Sequence, residues 1–334
     1  MAESRFLIVR LSSLGDIVLS ASAAAMLRGS FLGAQVDWLL DCRWADILIP
    51  CGDFHEIIRL DRGSWKSLAV TVRKLRAARY TCAIDFQGLY KSALLAYLSG
   101  APRRIGFARP FLRESGAAFF YTDQISPPPG HIADQNRALA RAAGASPRIF
   151  GIGFPKWIEE PQPFARRMLS CDVGAFFVVN PGGGWGSKCW PAERYGQLCR
   201  ELGAQRDLRP VVNYGPGEEP LAEAVARAAA PANVILFRGE IQELKSLLAG
   251  AKFVVAGDTG PLHLAVALGT PVVGLYGPTD PVRNGPYGKD DVVVCNECFE
   301  GMEHERGHSP AASMLSITVE QVLDAVHRRL EKLQ

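Results

Sequence analysis

Apolar runs of four to six residues, without polar alternation, recur along this chain. Between them lie longer stretches whose apolar positions return every three or four residues. Runs of the first kind fall at 6–11, 36–40, 56–60, 81–86 and 103–107, and again at 176–180, 210–215, 233–237, 253–258, 271–277 and 291–295. Such runs suit parallel strands covered on both faces. Helical spacing fills 16–29, 66–78 and 88–99, then 191–203, 217–230, 241–250 and 259–268. Strand-helix-strand order predicts doubly wound α/β sheets. The rhythm breaks at SPPPG (126–130) and at 146–163, which holds four prolines and reads as a linker. The expected organisation is a domain over 1–155, a second over 164–315 and a closing helix over 318–334. Thr318 is the N-cap expected for that helix, with Gln321 three residues on.

The length of 334 residues agrees with two domains. A composition 48% hydrophobic and 21% charged excludes a disordered chain, and a net charge of +3 gives no support to nucleic-acid binding. No apolar run reaches the roughly 20 residues of a membrane span. The first residues lack the layout of a signal peptide, so a cytoplasmic protein is expected. The eight cysteines are irregularly spaced and read as reduced core residues.

Three segments could carry chemistry. In LSSLGDIVLS (11–20), Gly15 and Asp16 open a helix directly after the first strand. Asp16 reads either as a cap favoured by the helix dipole or as a general base at the strand's carboxyl end. In NPGGGWGSKCWP (180–191), four glycines within five residues precede Lys188. This is either a loop offering backbone amides to a phosphate or a turn with a surface lysine. It is not a Walker loop, because Ser187 stands where that motif needs glycine. In 254–281, a strand ends at Asp258, and Thr259 and Gly260 open a helix that carries His263. A lone histidine there would be a core residue, but this grouping at a helix N-terminus suits an anion.

These segments, with DFQGLYKSALLA (85–96), RESGAAFFY (113–121) and YGKDD (287–291), resemble the ADP-heptose:lipopolysaccharide heptosyltransferases, glycosyltransferase family 9, over nearly the whole chain. DFQGLYKSA and the RESGAAFFY stretch look more like the first heptosyltransferase than the second. The resemblance implies a GT-B fold, with two Rossmann-like domains facing across a cleft and the final helix packing back on the N-terminal domain. It implies an inverting, metal-independent transfer of heptose from ADP-heptose to a Kdo sugar of lipid A, with no cofactor. Asp16 would be the base and Lys188 would neutralise the leaving ADP. Gly183, Gly184, Lys188, Glu218, Asp258, Thr259, Gly260 and His263 would bind the donor, though relatives place threonines where Gly183 and Gly184 stand. Glu218, Glu219, Tyr214 and Arg238 are the nearest candidates for the adenine. Ser13, Arg62, Lys66, Gln87 and Arg113 would bind the acceptor.

No Asp-x-Asp pair is present, which favours charge stabilisation by Lys188 and helix amides. Two basic groups, 59–79 and 103–113, suit an anionic acceptor or the anionic inner face of the inner membrane; individually, these residues read as a solvated surface. Cys295, Cys298, His304 and His308 have zinc-type ligands at a spacing short for a zinc finger, and no metal is expected there. The alternatives are a family 9 transferase with another acceptor or donor, and a non-catalytic nucleotide-binding protein of the same fold. A dehydrogenase is disfavoured, since LSSLGD stands where a Gly-x-Gly-x-x-Gly turn would follow the first strand.

Overall fold

The computed structural model describes residues 4–49, 54–146, 174–206, 208–296 and 307–332. The chain divides into two compact units, Met1–Trp157 and Ile158–Gln334. The proline-rich stretch expected as a linker lies, from residue 147 onward, outside the described residues.

The first unit contains β1 (Arg5–Val9), α1 (Leu14–Ser30), β2 (Gln35–Asp41), β3 (Glu56–Leu60), α2 (Trp65–Ala77), β4 (Cys82–Asp85), α3 (Tyr90–Leu98), β5 (Arg103–Phe107), β6 (Asp123–Ile125) and α4 (Ile132–Ala142). Its strands form one parallel sheet in the order β3-β2-β1-β4-β5-β6. The second unit contains β7 (Phe176–Asn180), α5 (Ala192–Arg206), β8 (Arg209–Asn213), α6 (Glu219–Ala228), β9 (Ile235–Phe237), α7 (Ile241–Gly250), β10 (Val254–Gly257), α8 (Gly260–Ala267), β11 (Val272–Leu275), α9 (Pro281–Asn284), β12 (Val292–Val294), α10 (Ala312–Ser316) and α11 (Val319–Glu331). Its sheet runs β12-β11-β10-β7-β8-β9, also parallel throughout. Each sheet therefore reverses its winding once, between β1 and β4 in one unit and between β7 and β10 in the other. Ligands of doubly wound sheets bind beyond the strand ends at that reversal.

The strands form where the apolar runs predict, because both faces of each central strand are covered. Phe6 to Val9 and Val254 to Gly257 are all buried. The run at 6–11 yields a strand only to Val9, since Arg10 and Leu11 leave the sheet to build the turn before α1. Four elements escape the apolar pattern, among them α9 and α10, too short to show a period. β6 is a short, half-polar edge strand, and α4 follows the proline-rich loop with only a narrow apolar stripe. His131 starts α4 by accepting a hydrogen bond at Nδ1 from the Ala133 amide (3.1 Å).

One structural expectation needs correction, and it concerns the cysteines. The final helix has its own place within the second unit: the apolar stripe Val319, Val322, Ala325 and Val326 of α11 joins that unit's core, beside Trp190, Tyr195 and Ile317. Arg329 adds a 3.0 Å ion pair to Asp291, whose same oxygen accepts from the Val272 amide at the start of β11. The cap is as expected: Gln321 N donates to Thr318 Oγ1 (3.3 Å) and Thr318 N to Gln321 Oε1 (2.9 Å). Of the cysteines, Cys82 and Cys199 are buried, but Cys42 is exposed on the turn after β2 and so is not a core residue. Among the described residues, no helix is long and apolar enough to cross a membrane.

Candidate active site

In the second unit, the loop after β7 and the start of α8 meet at the sheet's reversal. Asn180 ends β7, accepts a hydrogen bond from Asn213 Nδ2 (2.6 Å) and donates to the Gly182 carbonyl (3.1 Å). These buried amides fix where the glycine loop leaves the sheet. Gly182 lies directly under the Glu218 carboxylate, so a Cβ there, 2.2 Å from Oε1, would push that side chain aside. Glu218 is in turn held by the Gly215 amide, which donates to Oε2 (2.7 Å). Gly186 is more strictly constrained, because a Cβ there would lie 2.0 Å from the backbone carbonyl of His308. Ser187 N donates to Gly307 O (3.1 Å) and Ala311 N to Ser187 O (3.2 Å), so residues 307–311 brace the loop from behind. Gly183 lies against Cys189, and Gly184 is exposed with open space around it.

This bracing sets Lys188. Its Nζ lies 2.6 Å from Asp258 Oδ2 and 4.2 Å from the centre of the Trp185 ring. His263 Nε2 donates to the other oxygen, Asp258 Oδ1, at 3.2 Å. Lys188 and Asp258 are about 11% and 10% exposed. Burial pushes the Asp258 carboxyl up, but His263 and Lys188 outweigh that and hold it well below the usual carboxylate range. Thr259 occupies the N-cap of α8 in extended conformation without a capping bond from its side chain. Its hydroxyl is buried with no partner, as is His263 Nδ1. A helix start left in this state offers the Gly260 amide to an anion, while Pro261, which has no N–H, adds no donor.

Because folding depresses the Asp258 pKa, its contribution to stability is present above the unfolded value of 3.8 and lost as the pH falls. Thermal melts should therefore show the wild-type advantage over Asp258→Asn shrinking between about pH 5 and about pH 3. A constant difference across that range would rule out the ion-paired carboxylate.

In the first unit, the turn after β1 meets the turn after β4. Ser13 is the N-cap of α1, and Asp16 Oδ2 accepts from Ser13 N (3.1 Å) and Ser13 Oγ (2.8 Å). Arg10 Nη2 lies 2.5 Å from Asp16 Oδ1, and the Asp16 side chain remains 41% exposed. Asp16 is thus a capping residue whose carboxylate still reaches solvent, so cap and base readings coexist in one geometry. Ser13, expected to touch acceptor, spends its hydroxyl on Asp16.

Gln87, also an expected acceptor residue, accepts the Leu11 amide at Oε1 (2.8 Å), and Arg10 donates to the Phe86 carbonyl. Asp85, wholly buried at the end of β4, shapes that second turn. It accepts from Gln87 N (2.8 Å), Gly88 N (3.2 Å), Ser92 Oγ (2.8 Å) and Tyr121 Oη (2.7 Å). Burial pushes its carboxyl up, against the pull of those four bonds. Sequence reading passed over both Arg10 and Asp85. The available signal was position: each is a charged residue closing an apolar strand run.

Arg62, in the turn after β3, binds Asp41, which also takes Arg43 Nε (3.0 Å) and Nη2 (2.9 Å). Burial raises the Asp41 carboxyl, but the hydrogen bonds of the two arginines bring it down to about 2. The Lys91 ammonium, at the start of α3, is lowered by burial and then by nearby Arg62. Lys66 and Arg113 are exposed and make no ion pair among the described residues. Elsewhere in the basic groups, Arg59 pairs with Asp46 (2.8 Å), Lys74 with Glu56, and Arg103 with Asp123 (3.1 Å). Those cations are spent within the unit. Arg238, an adenine candidate, pairs with Glu219 at 2.6 Å. Among the described residues, no three His, Cys, Asp or Glu side chains are placed to hold a metal ion. Cys298 and His304 of the zinc-like pattern lie outside those residues.

Residues 69–311 match the model of glycosyltransferase family 9 (heptosyltransferase). The chain belongs to glycosyltransferase family 9. Lipopolysaccharide heptosyltransferase 1 of Salmonella typhimurium is 31% identical over 311 residues, covering 87% of this chain and 94% of that protein. The Pseudomonas aeruginosa protein of the same name is 30% identical over 314 residues, covering 89% and 86%. A structure of E. coli heptosyltransferase WaaC with ADP aligns with TM-score 0.72 at 25% identity, over 98% of this chain and 99% of that one. The family 9 transferase thus has the GT-B architecture expected from its sequence, with one parallel six-stranded sheet in each unit.

Proposed function

We propose that this family 9 enzyme transfers heptose from ADP-heptose to a Kdo sugar of lipid A in assembly of the lipopolysaccharide inner core, inverting the anomeric carbon. The observation that carries the donor half is the Lys188–Asp258–His263 constellation at the partnerless start of α8. The donor's diphosphate would lie against the amide of Gly260 and the Thr259 hydroxyl, with the glycine loop at Gly183 and Gly184 alongside and Glu218 below it. Lys188 would turn from Asp258 to the phosphate oxygens, while Asp258 keeps His263. Preorganised donors and cations of this kind stabilise charge as it develops on a leaving group.

Asp16 would take the proton from the attacking Kdo hydroxyl. The hydroxyl oxygen bonds to the anomeric carbon as the bond to the β-phosphate oxygen breaks, and ADP departs with that electron pair. Arg10 orients the Asp16 carboxylate through its ion pair, and a carboxylate within hydrogen-bond reach of the hydroxyl is what such a step requires. Arg62, Lys66, Lys91 and Arg113 would meet the acceptor's carboxylates and phosphates. No cofactor or metal enters this scheme. An acceptor embedded in the inner membrane would bring the enzyme to its cytoplasmic face.

The likeness to heptosyltransferases 1 from several bacteria supports this reading. A thermal-shift series with ADP, UDP, GDP, CMP and NAD should show selective stabilisation by ADP, about 2.7 kcal/mol at one hundred times its Kd. Turnover of ADP-heptose with Kdo2-lipid A then tests the reaction. Equal response to all nucleotides, or no turnover by folded enzyme, would overturn it.

A further inference from the structure

We propose that the outer face of α3, together with the two 3-10 turns Arg109–Phe111 and Ser115–Phe120, is a docking surface for an anionic lipid bilayer. Tyr90, Leu94 and Tyr97 stand four and three residues apart, in one stripe along α3, and all are exposed. The opposite side of the helix buries Ser92, Ala93, Leu95 and Ala96. The stripe continues onto the second turn. Tyr90 Oη rests against Gly116, where a Cβ would come within 1.9 Å, and the Tyr97 and Phe120 ring centres are 5.8 Å apart. Phe119 is 78% exposed and Phe111 50%. Rings this exposed add nothing to the core, and their clustering on one face marks an interaction surface.

The charges choose the occupant. Arg104 lies 5.5 Å over the Tyr97 ring and Arg109 lies 4.7 Å over that of Phe119. Arg113 is exposed on the segment between the turns. Of the acids nearby, Asp123 is neutralised by Arg103, while Glu114 accepts the Tyr90 amide (2.6 Å) and keeps its charge. Arg104, Arg109 and Arg113 against the single Glu114 carboxylate leave the face positive among the aromatic rings. Arg104 spends Nε and Nη1 on the Phe120 and Ala101 carbonyls (both 2.8 Å), which leaves the exposed Arg109 and Arg113 to reach phosphates; rings at headgroup depth beside such guanidinium groups fit an anionic interface. A second copy using the same face would set cation against cation, which opposes self-association.

The first turn of α3 also carries Lys91, close to Arg62, so the surface adjoins the residues proposed above for the acceptor. Identifying the bilayer as the acceptor's own membrane rests on that functional reading; the docking itself does not.

The test is sedimentation with phosphatidylglycerol/phosphatidylcholine vesicles against phosphatidylcholine alone, comparing wild type with the double variant Tyr97→Ser and Phe119→Ser. Both sites are exposed, so the variant is expected to fold, and its melting curve checks this. Wild type should bind the anionic vesicles only, the variant should lose about tenfold in partition, and both should turn over a deacylated, water-soluble Kdo acceptor equally. Equal binding to neutral vesicles, unchanged binding by the variant, or a wild-type dimer dispersed by the same substitutions would overturn the proposal. If the wild type fails to turn over the soluble acceptor yet binds anionic vesicles, the reaction assigned above falls and the docking surface stands.

Discussion

Replacing Lys188 with alanine should lower kcat by about a hundredfold to a thousandfold, the cost of deleting one preorganised charge-stabilising donor. The reason lies in how the ammonium is held. Asn180, Gly186 and the 307–311 backbone fix the loop, and Asp258 and the Trp185 ring fix the side chain. Little reorganisation is then left for the moment when charge appears on the departing diphosphate. The substitution also strips a buried carboxylate of a partner, which by itself costs about 3–5 kcal/mol in a fully buried pair. The double variant Lys188→Met, Asp258→Asn separates the two effects. It should recover the melting temperature without recovering kcat. Recovery of turnover along with stability would remove Lys188 from the chemistry and leave it a structural ion pair.

Asp16→Ala and Asp16→Asn should both lose about a hundredfold to ten-thousandfold in kcat, the range for losing a positioned general base. The pair of variants is informative because Asp16 also caps α1. Asparagine keeps an oxygen for the Ser13 amide and hydroxyl but leaves Arg10 without its carboxylate, so Asp16→Asn should melt below wild type yet above Asp16→Ala, which loses roughly 1 kcal/mol more with the cap. If capping were its whole role, asparagine would rescue activity. If it is the base, asparagine restores the cap's share of stability and no activity. The ADP thermal shift, which reports on the second unit's residues, should survive both substitutions.

The sheets were legible in the sequence because a strand covered on both faces must be apolar at successive positions, as at 176–180 and 254–257. β6 and α4 were not, since an edge strand of three residues and an amphipathic helix with a narrow stripe leave little periodic trace. The chemical residues divide the same way. Asp16, Lys188 and Asp258 announce themselves because they sit in glycine-bearing turns directly after strands. Arg10 and Asp85 look like ordinary strand residues; their importance comes from the β1–β4 neighbourhood, a pairing between strands some 75 residues apart, Phe6 opposite Cys82. The Val319, Val322 and Val326 stripe of α11 was legible as a face that must be covered, but what covers it, the second unit's core, was not.

That placement of α11 bears on how the enzyme matures on the ribosome. The first sheet is complete by Ile125 and its flanking helix α4 by Ala142, so this half can close while most of the second is still being synthesised. The second half cannot shield β11, β12 and Trp190 until residues 319–331 have left the exit tunnel. For that interval it presents an uncovered apolar sheet face, and a stop codon shortly before Val319 should yield an aggregating chain even though every proposed catalytic residue has already been made.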